Sequence, residues 1–287
     1  MTFGLLISGD LGNITLCHFL NHYALKFVMT DKASKKIIEN CEKNNIPLFI
    51  GNPRTNKVNT FIIGKKCEII ISVNYIFLIK KNIINLSSGL CFNIHGSLLP
   101  KYRGRTPHVW AIINNEKKTG ITAHIIDEGC DTGGILEQIE VEIDKKDSGW
   151  DILEKYKKLY VPLIERVLKK YASNSLKVIP QNEKEATFFP KRSPEDGLID
   201  WNWNSIRIEN WIRAQRIPYP GAFSIFKNKK IIIDDANKIK YKYDCNLRNG
   251  TIISIKPLII KCSDEAIKIN KLREINSKQF KLFEILN

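Results

Sequence analysis

Up to Val73 the chain alternates short apolar runs with amphipathic stretches, and this order leaves few folds open. The runs FGLLIS, LKFVMT, IPLFIG and CEIIISV read as strands, whereas ITLCHFLNHY and SKKIIENCEKNN carry apolar residues at helical spacing. Strand, helix, strand, helix predicts an α/β fold with a parallel sheet and crossover connections. The turn after the first run reads GDLGN, from Gly9, without the G-x-G-x-x-G spacing that cradles a pyrophosphate. A nicotinamide dinucleotide is therefore not supported.

The pattern continues with a helix-like FLIKKNIIN, a buried strand LCFNIH and a loop. Thr106 and Pro107 read as the N-cap and first residue of a helix that passes Trp110 and fades at NNEKKTG. The strand ITAHIID, the loop EGCDTGG and the extended run ILEQIEVEI follow. Residues 149–171 repeat apolar positions at helical spacing and carry Pro162, which predicts a kink. From about Lys191 the texture changes to Trp, Pro and Gly, then to β-branched runs such as KIIIDD, GTIISI and PLIIKC. We expect a catalytic domain over 1–190 and a smaller β-rich domain over 191–287.

Lys plus Arg outnumber Asp plus Glu by 45 to 30, a formal net charge of +15, which points to anionic partners. Nucleic acid, phosphorylated metabolites and membrane surfaces all qualify. Much of this charge is lysine scattered among Ile and Asn, so compositional drift explains it equally well. The seven cysteines include no C-x-x-C pair and no Cys/His ligand spacing, so neither a metal site nor a disulfide framework is expected. The N-terminal apolar run lacks a basic flank and is short for a signal segment, and no run reaches the roughly 18 apolar residues of a membrane span. No membrane partner and a cytoplasmic location are the expectations.

Asn93 and His95 stand two apart at the end of LCFNIH, so they share one face of a strand. In open α/β sheets the carboxyl ends of the strands are where ligands bind. An amide donor beside an imidazole suits chemistry at a carbonyl, because both stabilise a developing oxyanion and the imidazole also handles a proton. The same pair fits a turn-former beside a hydrogen-bonded core histidine. The segments SLLPKYRGRTPHVWAI and TGITAHIIDEGCDTGGI then follow in order and bring Asp131, a carboxylate able to orient an imidazole and favour its protonated form.

Together these segments resemble the folate-dependent formyltransferases, which include the glycinamide ribonucleotide, methionyl-tRNA and nucleotide-sugar enzymes. The resemblance rests on Asn93-x-His95, on Ser97–Pro100 and on the Asp127-to-Gly133 loop. It implies a Rossmann-like open parallel sheet and transfer of a formyl group from 10-formyltetrahydrofolate to a primary amine, with no metal. Asn93, His95 and Asp131 take the catalytic positions: the first two hold the oxyanion, His95 takes part in proton transfer and Asp131 tunes it. The resemblance also places the folate among Ser72, Asn74, Tyr75, Ile76, Ile125, Asp127 and Asp131, although Tyr75 fits a buried packing role equally well.

The loop KYRGR looks most like the sugar-directed members, which implies a nucleotide-linked amino-dideoxy sugar on dTDP or UDP, surface-polysaccharide biosynthesis and a homodimer. Lys101, Tyr102, Arg103 and Arg105 are then candidates for substrate contact. So are Arg213 and Tyr219, through the resemblance of YPGAF and its preceding arginine. For each arginine a structural role bonding carbonyls is the plain alternative. Two other readings stay open. One is methionyl-tRNA formylation, favoured by net charge, although nucleic acid is not the expected partner; the other is a non-catalytic folate-fold binding protein. His108 and His124 read as surface or core histidines and Cys130 as a small filler. Trp201, Trp203 and Trp211 read as core or interface residues, and the Lys-rich helix as a solvated face.

Overall fold

A computed structural model describes residues 1–273 and 280–287. The chain forms two compact units, one of residues 1–104, 120–141 and 155–188, the other of 105–119, 142–154 and 189–287.

In the first unit the strands are β1 (Thr2–Ile7), β2 (Ala24–Thr30), β3 (Leu48–Ile50), β4 (Cys67–Val73) and β5 (Ser87–His95), with the short β6 (Arg103–Gly104), then β7 (Lys118–Ile125) and β8 (Ile135–Glu142). The central sheet runs β3-β2-β1-β4-β5-β7-β8. Its first five strands pair in parallel, whereas β7 runs antiparallel to β5. The chain builds outward from β1 to β3 and then returns on the other side of β1 as β4. Strand order therefore reverses between β1 and β4, and the carboxyl ends of β4 and β5 lie beside that reversal.

The connecting helices are α1 (Gly9–His22), α2 (Lys35–Lys43), α3 (Lys57–Phe61) and α4 (Lys81–Ile84). Leu6, Phe27, Met29, Ile70 and Cys91 form a buried cluster with Val58. Phe27 lies so close over Gly4 that a Cβ there would stand 2.3 Å from its ring, so only glycine fits this pairing. Helix α1 opens at Gly9, earlier than the apolar periodicity indicates, because Gly9 turns the chain at φ +63°. Of FLIKKNIIN only Lys81–Ile84 is helical.

Helix α5 (Pro107–Ile113) starts with Pro107 at its first position, as the sequence indicates. Its N-cap Thr106 is left-handed at φ +51° and its side chain makes no capping bond. The stretch 149–171 is two helices, α6 (Gly149–Lys157) and α7 (Tyr160–Ala172). Pro162 does not kink one long helix. It stands in the first turn of α7, where a missing N–H costs nothing because that donor has no partner within the helix.

The second unit carries α8 (Ser205–Ala214) and strands β10 (Ala222–Phe226), β11 (Lys229–Ile239), β12 (Ile252–Ile255), β13 (Leu258–Lys261) and β14 (Ala266–Leu272), which follow the two-residue β9 (Phe188–Phe189). Their sheet is antiparallel, ordered β10-β11-β14-β13-β12. The Arg192 guanidinium lies 4.8 Å from the Trp110 ring centroid and 4.4 Å from that of Trp211, and Trp211 in turn packs 4.7 Å from Trp203. An arginine between two indole faces gains cation–π attraction as well as apolar cover. Trp201 is buried and donates its indole N–H to Ser224 Oγ at 2.9 Å.

Candidate active site

The pairing register assembles the site. Asn93 on β5 faces Ser72 on β4 and His124 on β7, while His95 faces Thr122. Cross-strand neighbours on one face of a sheet stand close enough to touch. The Asn93 amide accordingly lies with Nδ2 3.2 Å from His124 Nε2. His124 Nδ1 lies 2.8 Å from the Ile125 carbonyl and donates to it, so the neutral ring presents its Nε2 lone pair to Asn93.

His95 is buried, with Nε2 2.8 Å from the Tyr102 carbonyl. A carbonyl only accepts, so Nε2 carries the proton and Nδ1 of the neutral ring keeps a lone pair. That nitrogen is 3.5 Å from Asp131 Oδ2, and the other Asp131 oxygen is 3.5 Å from His124 Nε2. The backbone N–H of Gly104 donates to Asp131 Oδ2 at 2.9 Å. One carboxylate thus stands between two imidazoles.

Burial drives the proton affinity of His95 down, and the Asp131 charge and the Tyr102 carbonyl only partly offset this, so the ring titrates below an ordinary histidine. For Asp131, burial acts upward but is overcome by the positive charge that His95 and His124 carry when protonated and by the Gly104 N–H, which hold the carboxyl well below the usual range. Asp131 is the fixed anion of the site.

Hydrogen bonds within the turn fix its shape around His95. Thr122 Oγ1 donates to the Ser97 carbonyl at 2.6 Å and accepts from Leu99 N–H at 3.2 Å. Gln138 Nε2 donates to the Leu99 carbonyl at 3.0 Å, and Ser97 Oγ to that of Lys101 at 2.6 Å. Ser97–Pro100 is a scaffold for the histidine.

The remaining sequence candidates fall in different settings. Ser72 is buried, while Asn74 and Ile76 are exposed after β4, with Asn74 Nδ2 donating to the Ser8 carbonyl at 3.2 Å. Tyr75 is half-buried, and its hydroxyl, with no hydrogen-bond partner among the described residues, is pushed far up by burial. Asp127 closes its own loop, accepting from Gly129 N–H at 3.1 Å and from Thr132 Oγ1 at 2.7 Å. Ile125 is half-buried at the end of β7.

Lys101 and Arg105 are exposed, but Tyr102 and Arg103 are buried. Arg103 sends its guanidinium to Gln181 and Glu183, so this member of the KYRGR loop has structural partners of its own. In the second unit, Arg213 is buried and donates to Asn210 Oδ1 at 2.9 Å and to the Asp147 carbonyl at 2.7 Å. The Tyr219 hydroxyl is 2.9 Å from His108 Nε2, and burial lowers His108 to about 4.

His124, read from the sequence as a surface or core histidine, has contacts that the sequence did not reveal. It is a buried, hydrogen-bonded histidine, yet it touches both Asn93 and Asp131. Its signal would have been the antiparallel register of β5 and β7, which periodicity does not reveal. Among the described residues, no group of three or more His, Cys, Asp or Glu side chains is placed to hold a metal ion.

Comparison with known proteins agrees with this architecture. The bifunctional polymyxin resistance protein ArnA of Wigglesworthia glossinidia brevipalpis is 37% identical over 275 residues, which is 95% of this chain and 40% of that protein. The chain thus spans well under half the length of that curated relative. Among solved structures, the sugar 3N-formyl transferase WlaRD, determined in the presence of dTDP and 5-N-formyl-THF, superposes with a TM-score of 0.67 at 24% identity, over 96% of this chain and 99% of the other. An N-formyltransferase from Helicobacter canadensis, in complex with folinic acid and dTDP-3-aminofucose, gives 0.69 at 21% identity over 94% and 99%. At those identities the likeness speaks for the fold. Residues 191–287 match the C-terminal domain of formyl transferases and residues 20–168 match the formyl transferase family itself, so the chain belongs to that family.

Proposed function

We propose that the chain transfers a formyl group from 10-formyltetrahydrofolate to the amine of a dTDP- or UDP-linked amino-dideoxy sugar. The observation that carries this reading is the convergence of Asn93, His95 and Asp131, with His124, at the carboxyl end of β5. The solved relatives, a sugar 3N-formyl transferase with dTDP and 5-N-formyl-THF and an N-formyltransferase in complex with folinic acid and dTDP-3-aminofucose, support the substrate class.

The folate supplies the formyl carbon. Ser72 on β4 and His124 on β7 flank Asn93 in the sheet register, and the segments that follow those strands, 74–76 and 125–131, are assigned to the pterin. Asn93 has two amide N–H donors; with one turned to His124, the other is directed at the negative charge that develops on the formyl oxygen. His95, its tautomer fixed by the Tyr102 carbonyl, takes the proton of the attacking amine at Nδ1, directly or through a water. Asp131 stabilises the imidazolium so formed, which passes the proton to the folate nitrogen as the bond between that nitrogen and the formyl carbon breaks. Exposed Lys101 and Arg105 are assigned to the diphosphate, while buried Tyr102 and Arg103 hold the loop through Thr187, Gln181 and Glu183. Tyr219 and Arg213 remain the candidates that the sequence offers for the nucleotide, and within their own unit Arg213 holds the 144–147 backbone.

The wider reading is a homodimeric enzyme of surface-polysaccharide biosynthesis in the cytoplasm, with catalysis assigned to 1–190. No helix among the described residues is long and apolar enough to cross a membrane. The test is incubation with 10-formyltetrahydrofolate and a panel of dTDP- and UDP-amino sugars alongside methionyl-tRNA, followed by mass spectrometry. A gain of one formyl group on a sugar nucleotide is expected. A gain on the tRNA alone, or on nothing, contradicts the proposal.

A further inference from the structure

The segment from Gln181 to Thr187 stands outside the catalytic strands yet bonds both loops that hold the reacting groups. Gln181 Nε2 donates to the carbonyls of Asp131 at 2.8 Å and Gly133 at 2.7 Å. Its Oε1 accepts from Arg103 Nε at 3.1 Å and Nη2 at 2.7 Å. A single carboxamide therefore uses two donors and two acceptor positions, its full capacity. Arg103, fully buried, forks onto both oxygens of Glu183 at 2.8 and 2.6 Å. Thr187 accepts from Arg103 N–H through its carbonyl and from Tyr102 N–H through its hydroxyl, each at 2.8 Å.

The residues flanking Arg103 are those that touch the catalytic groups. Tyr102 gives its carbonyl to His95, and Gly104 gives its N–H to Asp131. Tyr102 and Asp131 are both left-handed, at φ +61° and +57°. For a residue with a side chain that conformation costs about 1–2 kcal/mol and persists only where surrounding bonds impose it. The Asp131–His95 separation of 3.5 Å is a charge contact beyond ordinary hydrogen-bond length, so its strength depends on where the backbone sets the carboxylate.

We propose that Gln181 is a positioning residue: by bonding the Asp131 and Gly133 carbonyls, anchored through Arg103 and Glu183, it fixes the Asp131 carboxylate against His95. The assignment rests on reading Asn93, His95 and Asp131 as the formyl-transfer site. The groups that face His95 are Asp131, His124 and the Tyr102 carbonyl; Arg103 faces Gln181, with Glu183, Asp131 and Asp127 the acidic groups acting on that guanidinium. Loosening Asp131 removes the influence that raises His95, leaving burial to lower it further.

The test compares wild type with Gln181→Met, which keeps the length of the side chain and removes its hydrogen bonds, and with Gln181→Asn, which keeps the amide but draws it back by one methylene. His95 is titrated by imidazole nitrogen NMR in the full chain without substrate, and kcat and KM are measured separately. The expected result is a His95 midpoint lower by about 0.5 pH unit or more in Gln181→Met, with kcat down about tenfold and KM for the amine within about twofold. Gln181→Asn should fall between wild type and Gln181→Met, and it carries the comparison if the methionine variant does not fold. An unmoved midpoint and unchanged kcat in a folded variant overturn the assignment. The titration needs no turnover, so a wild type that moves no formyl group would show separately that the functional reading had failed.

Discussion

At the residue scale, the proposed chemistry needs one histidine oriented as a neutral base while a carboxylate stays charged beside it. The Tyr102 carbonyl holds the His95 proton on Nε2, and burial keeps the ring from charging early. The neutral form is the base, so kcat/KM should fall as pH drops through the His95 midpoint. Because that midpoint is lowered, the acid limb is expected below about pH 6.5, the ordinary histidine value. A pH–rate profile checks it; a limb at or above that value would mean that Asp131 outweighs burial. Asn93→Ala should lower kcat by about 10²–10³ with the fold retained, as expected for loss of one oxyanion donor. Steady-state kinetics with a circular-dichroism control measures this.

At the element scale, the Asp131 loop is held by close backbone approach as much as by hydrogen bonds. A Cβ on Gly133 would stand 2.0 Å from the Ile125 carbonyl oxygen, where no side chain can yield. Gly133→Ala should therefore displace the loop, costing about 1–3 kcal/mol in denaturant unfolding and removing most activity. Retention of both would show that the loop tolerates the shift. The strands of the central sheet and the Asn93–His95 pair were legible in the sequence because period-two geometry and apolar runs are local properties, whereas β10 and β14 were not read. Other features were not local. The partnership of His124 depends on antiparallel register between strands far apart in the chain, and the burial of Arg103 depends on Gln181 and Glu183, about eighty residues on. Pro162 misled because proline reads alike in a helix interior and in a first turn, and only the preceding break at Lys158–Leu159 decides between them.

At the scale of the whole molecule, the formal charge of +15 attracts any polyanion and so does not choose among substrates. Transfer RNA should bind at low salt, but with affinity falling about 10³-fold or more between about 50 and 200 mM salt, and without gaining a formyl group. Filter binding across that range checks it; salt-resistant binding would favour the tRNA reading. What the two units share with the solved relatives is a fold, and the proposed chemistry is assigned to the cluster around Asn93. The most direct measurement follows a carbon-13 formyl label from 10-formyltetrahydrofolate to a nucleotide-linked amino sugar by NMR, with wild type and Asn93→Ala side by side. The label should reach the sugar amine with wild type and arrive at least about a hundredfold more slowly with the variant. A label that never leaves the folate, or that moves equally fast with both proteins, would contradict formyl transfer at this site.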